Sequence, residues 1–245
     1  MSEPIDAELK SHYDRAAEGY EAARYRSPSG SLLHELERRL VQDWAKGGAG
    51  SRGLDAPCGT GRLTEALARR CSLVVGCDIS APMLEKARAG ERATGIALAR
   101  ANNRRLPFVD GSFDTVLCIN FLQLVPREQW PLLLAELHRL VKPGGTLLLE
   151  CKTPKKLAPL WRLLRRPDPP GRGPVPLIVF RPGDGPALFR GFRKGRRIGL
   201  LFPVLPRLGA VLGRRGVLAL HLMLGRLPVV RMLATSILFE LRRKA

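Results

Sequence analysis

The first 46 residues carry the apolar spacing of two helices. Residues 8–24 are mainly polar with a helical period, and residues 31–46 bring Leu, Val and Trp back to one helix face. Serines around Pro28 offer a break and a cap between the two segments, and a glycine-rich stretch at 47–50 ends the second. We therefore predict two helices ahead of the rest of the fold.

From residue 50 onward, short apolar runs alternate with helical segments. The runs predict strands at residues 53–56, 72–78, 96–100, 114–119 and 146–150. Helices are expected at residues 63–70, 81–89 and 127–140, with Lys142-Pro143-Gly144-Gly145 terminating the last. This alternation indicates a doubly wound, mostly parallel sheet covered by helices on both faces, which binds ligands at the carboxyl ends of its strands.

Beyond residue 151 the pattern is less regular. It predicts a short helix around 157–164, a helix at 185–192, a sixth strand at 197–202, helical pieces within 203–233 and a last strand at 236–241. The fold class is then α/β, with a Rossmann-like sheet of seven strands. We expect one domain over residues 1–245, divided into N-terminal helices (1–46), a core (50–151) and basic segments (152–245).

Composition narrows the class of protein. Five cysteines without a CxxC pair favour buried free thiols in a reducing compartment over a zinc site. The polar start of the chain does not resemble a secretory signal, and the longest apolar run, at 216–225, is too short for a membrane span. We expect a cytoplasmic protein without a bound metal; no signal indicates its oligomeric state.

Positive charge is concentrated in the last part of the chain. Residues 1–150 hold 20 Lys and Arg against 19 Asp and Glu, whereas residues 151–245 hold 21 against 3. Such asymmetry suggests an anionic partner, although an arginine-rich genome would also produce it. Leucines accompany the arginines while aromatics are few, which fits peripheral membrane contact or a lid over the acceptor better than nucleic acid.

Two features at predicted strand ends point to a nucleotide-like ligand. Asp55 lies near the end of one predicted strand, which leads into a turn with Gly59 and Gly61, where backbone can approach a ligand closely. The turn is neither GxGxxG nor a P-loop, and alone it could be an empty tight loop. Asp78 ends the next strand, where a carboxylate can accept both hydroxyls of a ribose.

These features extend into a series of five motifs that resembles the core of class I methyltransferases that use S-adenosyl-L-methionine (SAM). The resemblance is to the type 11 branch, which includes ubiquinone and menaquinone biosynthesis enzymes and many small-molecule methyltransferases. The motifs are Leu54-Asp55-Ala56-Pro57-Cys58-Gly59-Thr60-Gly61, Gly76-Cys77-Asp78-Ile79-Ser80 with Met83-Leu84, Leu106-Pro107-Phe108, Asp110-Gly111-Ser112-Phe113-Asp114, and Leu140-Val141-Lys142-Pro143-Gly144-Gly145.

The resemblance implies SAM as cofactor and assigns a role to several residues. Asp55, Gly59 and Gly61 would surround its methionine part, and Asp78 would hold its ribose. Ile79 and Met83 would pack on the adenine. Asn102 stands where the family usually has an Asp that accepts from the adenine amino group, and an amide oxygen can still accept this bond. The implied cofactor residues are Asp55, Ala56, Gly59, Gly61, Asp78, Ile79, Met83, Asn102, Asn103 and Asn120.

The expected reaction is methyl transfer to a small-molecule or lipid-like acceptor, at an O or C atom. No general base is obvious: Asn120 and Gln123 would face the methyl group, and Tyr20, Gln123, Glu150 and His12 are weak candidates. The alternatives are an RNA methyltransferase that uses the basic segments, or a protein that binds SAM without transfer. The signature of amino-group methyltransferases is absent, which disfavours adenine in DNA.

Overall fold

The computed structural model describes residues 4–90, 95–154, 178–200, 209–231 and 233–245. Its helices are α1 (Pro4–Ala16), α2 (Tyr20–Tyr25), α3 (Pro28–Trp44), α4 (Arg62–Ala68), α5 (Ala81–Ala89), α6 (Trp130–Leu140), α7 (Gly185–Leu188), α8 (Gly209–Arg226) and α9 (Pro228–Arg231). Its strands are β1 (Gly48–Asp55), β2 (Cys71–Asp78), β3 (Ile96–Arg100), β4 (Phe113–Cys118), β5 (Val141–Lys152), β6 (Phe192–Leu200) and β7 (Ser236–Arg243).

The seven strands form one sheet in the order β3-β2-β1-β4-β5-β7-β6. Strands β1 to β5 pair in parallel, and β7 lies antiparallel between β5 and β6. From β1 the chain adds β2 and β3 on one side of the sheet, and from β4 it adds the remaining strands on the other side. The crevice between the carboxyl ends of β1 and β4 is therefore the switch point where such sheets bind ligands. The predicted α/β, mostly parallel seven-stranded fold is confirmed.

Apolar side chains cover both faces of the central strands. Leu147 and Leu148 are adjacent in β5, and both are fully buried, in clusters on opposite faces of the sheet. Helix α6 supplies Leu133 and Leu137 to one cluster, while α3 and α4 pack on the other face. Because the strand is covered on both faces, its sequence is a continuous apolar run rather than an alternating one.

Several predicted boundaries were wrong in the first half of the chain. The helix expected at 8–24 is two helices, α1 and α2, interrupted near Gly19, since glycine lowers helix propensity. The first strand begins at Gly48 rather than at residue 53. Residues 142–145, which we expected to end the preceding helix, belong to β5. Gly144 has a φ of +72° there, and the pairing of β5 with β4 shifts register near this point.

The sixth strand was also misplaced. It begins at Phe192, inside the helix expected at 185–192, and α7 ends at Leu188. Residues 193–197 are exposed because β6 is the edge of the sheet, so the apolar pattern used to locate the strand covers only its last residues. The helix expected at 157–164 lies outside the described residues, as do residues 201–208.

The structure also tests the expected state of the cysteines and the expected lack of a membrane-spanning helix. All five cysteines are buried free thiols, as predicted. Among the described helices, none is long and apolar enough to cross a membrane. Helix α8 is kinked at Gly213, where φ is 62° and ψ is 171°.

Candidate cofactor site

A cavity opens at the carboxyl ends of β1, β2 and β4, beneath the N-terminal helices α1 and α2. It holds about 850 Å³ of space between protein atoms, part of it continuous with solvent. Most of the residues predicted to bind the cofactor line it, namely Asp55, Gly59, Asp78, Ile79, Met83, Asn102, Asn103 and Asn120. Ala56 and Gly61 are in the same loop but do not line the cavity.

The two glycines of the loop after β1 serve different purposes. Gly59 has a φ of +53°, and a Cβ atom placed on it would meet no protein atom within 4 Å. Since Gly59 lines the cavity, that side of its backbone is open to a ligand. Gly61 has a φ of +83°, and a Cβ there would lie 3.2 Å from the Cβ of Ala87. Gly61 therefore permits close packing of the loop against α5.

Two carboxylates face the cavity from neighbouring strands. Thr64 Oγ1 donates to Asp55 Oδ2 at 2.7 Å, and burial raises the pKa of Asp55 to about 7. The backbone N–H groups of Gly59 and Ser80 each donate to one oxygen of Asp78 at 2.9 Å. Burial raises the pKa of Asp78, while these N–H groups oppose the shift. Each carboxylate oxygen has two lone pairs, so both groups retain acceptor capacity for a ligand.

Asn102 takes part in a polar cluster with α1. Its side-chain amide donates to Asp6 Oδ2 at 2.8 Å, and its side-chain oxygen accepts from the backbone N–H of Arg104 at 3.0 Å. Asp6 is buried, lines the cavity and pairs with the Arg104 guanidinium at 2.9 Å. A carboxylate from the N-terminal helix thus lies beside the amide that occupies the expected aspartate position.

Asn120, which follows β4, is held through its backbone N–H and both polar groups of its side chain. Its backbone N–H donates to Glu150 Oε2 at 2.9 Å, and its side-chain amide donates to Glu37 Oε1 at 3.1 Å. Lys152 Nζ donates to the side-chain oxygen of Asn120 at 3.0 Å and to Glu150 at 2.6 Å. Asn120 has a φ of +59°, a conformation that is uncommon for a residue other than glycine. The surrounding charges therefore fix one orientation of this side chain.

The four residues considered for acid–base chemistry lie in different surroundings. Of these, Tyr20 alone lines the cavity, and Arg24 donates to its hydroxyl oxygen at 2.5 Å. Gln123 and Glu150 are buried outside the cavity. His12 contacts the ring of Tyr13 edge-on, with ring centroids 5.1 Å apart. Neither Gln123 nor Glu150 has direct access to a ligand in this arrangement.

Sequence reasoning missed several residues of the cavity wall. Besides Asp6, these include Tyr13, Tyr25 and Arg62. The Arg62 guanidinium lies 2.5 Å from Glu37 and 4.4 Å from the centroid of the Tyr25 ring. The sequence pattern does not predict this cluster, because the contacts of Arg62 with Tyr25 and Glu37 join α4 to α2 and α3. Burial raises the pKa of the Tyr25 hydroxyl, as it does for Tyr13.

The polar atoms of the cavity fit SAM. Thr60 Oγ1 and Asn103 Oδ1 are buried without a hydrogen-bond partner among the described residues, and both residues line the cavity. A ligand with several hydroxyl and amino groups would satisfy them. Asp55 and Asp78 are acceptors that could bind the ribose hydroxyls and the positively charged groups of SAM. The described residues contain no group of three or more His, Cys, Asp and Glu that could hold a metal ion.

Fold and site together define a nucleoside-binding transferase of the SAM type, and comparisons with known proteins identify the family. The family described as "Methyltransferase domain" matches residues 54–145. The malonyl-[acyl-carrier protein] O-methyltransferase of Erwinia pyrifoliae is 31% identical over 209 residues, which cover 84% of this chain and 76% of that protein. The chain belongs to the SAM-dependent methyltransferases, and SAM is its cofactor.

Two further proteins are similar to this chain. The demethylmenaquinone methyltransferase of Tropheryma whipplei is 34% identical over 163 residues, 65% of this chain and 66% of that protein. The solved structure of the magnesium protoporphyrin IX methyltransferase of Synechocystis, with bound S-adenosylhomocysteine, superposes with a TM-score of 0.64. It is 16% identical, and the match covers 98% of this chain and all of that one, which shows the shared fold.

Proposed function

We propose that this enzyme methylates a small, largely apolar or lipid-like acceptor at an oxygen or carbon atom. The observation that carries the proposal is the part of the cavity wall that α1, α2 and the segment after β4 contribute, which consists mainly of aromatic and apolar side chains. These are Leu9, Tyr13, Tyr20, Tyr25, Phe121 and Leu124. A concave wall of this kind suits a flat or aliphatic small molecule. The relative named for demethylmenaquinone is consistent with it.

The side chains of the cavity perform the positioning that methyl transfer requires. SAM, when bound, supplies a methyl group activated by its sulfonium centre. Asp55 and Asp78 bind the polar parts of the cofactor, and the fixed amide of Asn120 limits how an acceptor can orient beside it. The aromatic wall excludes water. Because the transfer is an in-line displacement, such positioning accounts for much of the rate acceleration.

Tyr20 is the residue we assign to the acceptor end. It belongs to α2, lines the cavity, and carries a hydroxyl oxygen that already accepts from Arg24. That hydroxyl can donate to an acceptor oxygen and hold it towards the methyl group. Tyr20→Phe should then raise the KM for the acceptor while leaving the Kd for SAM unchanged.

Methyl-labelled SAM identifies the acceptor class directly. The purified chain is incubated with labelled SAM and a cell extract, and the products are separated into organic, aqueous small-molecule, protein and RNA fractions. We expect label in the organic fraction, and Asp78→Ala, which removes a cofactor carboxylate, should abolish it. Label confined to RNA would replace this proposal with the RNA alternative, and absence of label from every fraction would refute acceptor methylation.

A further inference from the structure

Arg231, in α9, is a cation that is almost fully buried. Its side chain is 8% exposed, and one guanidinium nitrogen lies 3.5 Å from the backbone oxygen of Arg226. Within the described residues, no carboxylate lies within salt-bridge distance of it. Burial is the larger cause that lowers the pKa of Arg231, and the positive charge of nearby Arg197 lowers this pKa further. Burying a cation next to another cation is costly unless an anion binds there.

The surrounding segment offers little to neutralise these charges. Residues 185–245 contain 13 Lys and Arg and one acidic residue, Glu240. Glu240 is already engaged by Arg196 at 2.8 Å and by Arg242 at 3.1 Å. Arg197 and Arg226 are exposed beside Arg231, and no described carboxylate pairs with either of them. An external anion would complete this group of three arginines.

Exposed apolar side chains are close in sequence to Arg226 and Arg231. Met223, Leu227 and Leu233 are 56%, 46% and 38% exposed, respectively. Leu227 directly follows Arg226 at the end of α8. We call the set of Arg197, Arg226, Arg231, Met223, Leu227 and Leu233 the basic–apolar surface. A surface that presents cations beside aliphatic side chains matches the boundary between phosphate groups and acyl chains in a bilayer.

The basic–apolar surface lies at the edge of the sheet that carries the cavity. The residues after α9 enter β7 at Ser236, which pairs both with Leu200, the last residue of β6, and with Lys152, the last residue of β5. Lys152 in turn contacts Asn120 in the cavity wall. A membrane bound at this surface would therefore meet the protein on the side where the cavity opens.

We propose that the basic–apolar surface binds an anionic phospholipid membrane, with Arg231 and its two neighbouring arginines contacting lipid phosphate. Single-stranded RNA, the other polyanion to consider, is usually held by aromatic side chains on which bases stack. Residues 203–238 contain no Phe, Tyr or Trp, and RNA would leave Met223, Leu227 and Leu233 unmatched. The observations therefore favour lipid.

Sedimentation with vesicles tests the proposal with the full chain. We expect binding to phosphatidylcholine vesicles that contain phosphatidylglycerol, no binding to pure phosphatidylcholine, and weakening by salt. Arg197→Glu with Arg226→Glu should weaken binding by about tenfold or more, given the contribution of each basic residue near an anionic surface. The matched control is Arg52→Glu with Arg70→Glu, two exposed arginines of which Arg70 immediately precedes β2. The control changes net charge equally and should retain binding.

Arg231→Met separates ligand binding from a structural role. If Arg231 awaits an anion, replacing it with an apolar side chain should weaken vesicle binding while leaving the Tm unchanged or higher. A lowered Tm with normal vesicle binding would overturn its assignment. Equal binding to neutral vesicles, equal loss in the control pair, or binding of single-stranded RNA without binding of vesicles would each overturn the membrane proposal.

Discussion

Asp55 should make the affinity for SAM depend on pH around neutrality. Its carboxyl is fully buried at the end of β1, and burial raises its pKa from the ordinary value near 3.8 to about 7. SAM is cationic, so it binds best when Asp55 is ionised. The affinity for SAM should therefore increase as the pH rises through 7. Below pH 7, where free Asp55 is mostly protonated, binding of SAM should release a proton from it.

The size of the effect follows from the titration. With a pKa of about 7, roughly a tenth of the free enzyme has an ionised Asp55 at pH 6, and roughly nine tenths has one at pH 8. If SAM binds the ionised form, its Kd should rise about tenfold between pH 8 and pH 6. The same shift should make the free protein less stable as the pH rises from about 4 to 7, because the native state then holds more protons than the unfolded state.

Calorimetry at pH 6, 7 and 8, in buffers of different ionisation enthalpy, measures both the Kd and the proton release. Asp55→Asn removes the titrating group while keeping its shape, so its weaker binding should lose the component that titrates near 7. Asp78, whose pKa burial also raises, remains in both proteins and contributes equally. An identical pH dependence in wild type and Asp55→Asn would refute the assignment of the titration to Asp55.

Two other predictions concern the charges and turns of the site. Glu37→Gln leaves the largely buried Arg62 guanidinium without its carboxylate. It should lower the free energy of unfolding by about 3–5 kcal/mol in urea denaturation, whereas Glu37→Met with Arg62→Met should recover most of that loss. Gly59→Ala and Gly61→Ala both place an alanine at a positive φ, but only Gly59→Ala places the new Cβ at the cavity. Gly59→Ala should therefore raise the Kd for SAM more than Gly61→Ala does. Equal Kd values for the two variants would contradict the inference that a ligand approaches the backbone at Gly59.

The central strands and the cofactor loop were predictable because their signals are local. The apolar runs of β4 and β5 follow from burial on both faces, and Asp55 and Asp78 follow from their position at strand ends. Parallel strands bring such ends together at one edge of the sheet, so positions in the chain translate directly into a site.

The acceptor side was not predictable in the same way. Tyr13, Tyr25 and Asp6 reach the cavity because α1 and α2 pack across the strand ends, and the sequence pattern of these helices does not show which residues face the cavity. The position of Asn120 after β4 predicts that it lies at the cavity. Its contacts with Glu37 of α3 and Lys152 of β5 could not be predicted in this way. Edge strand β6 was misplaced because its outward residues are charged rather than apolar.

The position of β7 between β5 and β6 has a consequence for synthesis of the chain. Strand β5 carries Glu150 and Lys152, which contact Asn120. Its outer edge pairs with β7, which follows the other described strands in the chain and is therefore synthesised after them. Until then the row of Leu147, Leu148 and Leu149 has an unpaired backbone edge of the kind that promotes aggregation. The outer edge of β5 is therefore protected only after residues 236–243 have been synthesised and have paired with it.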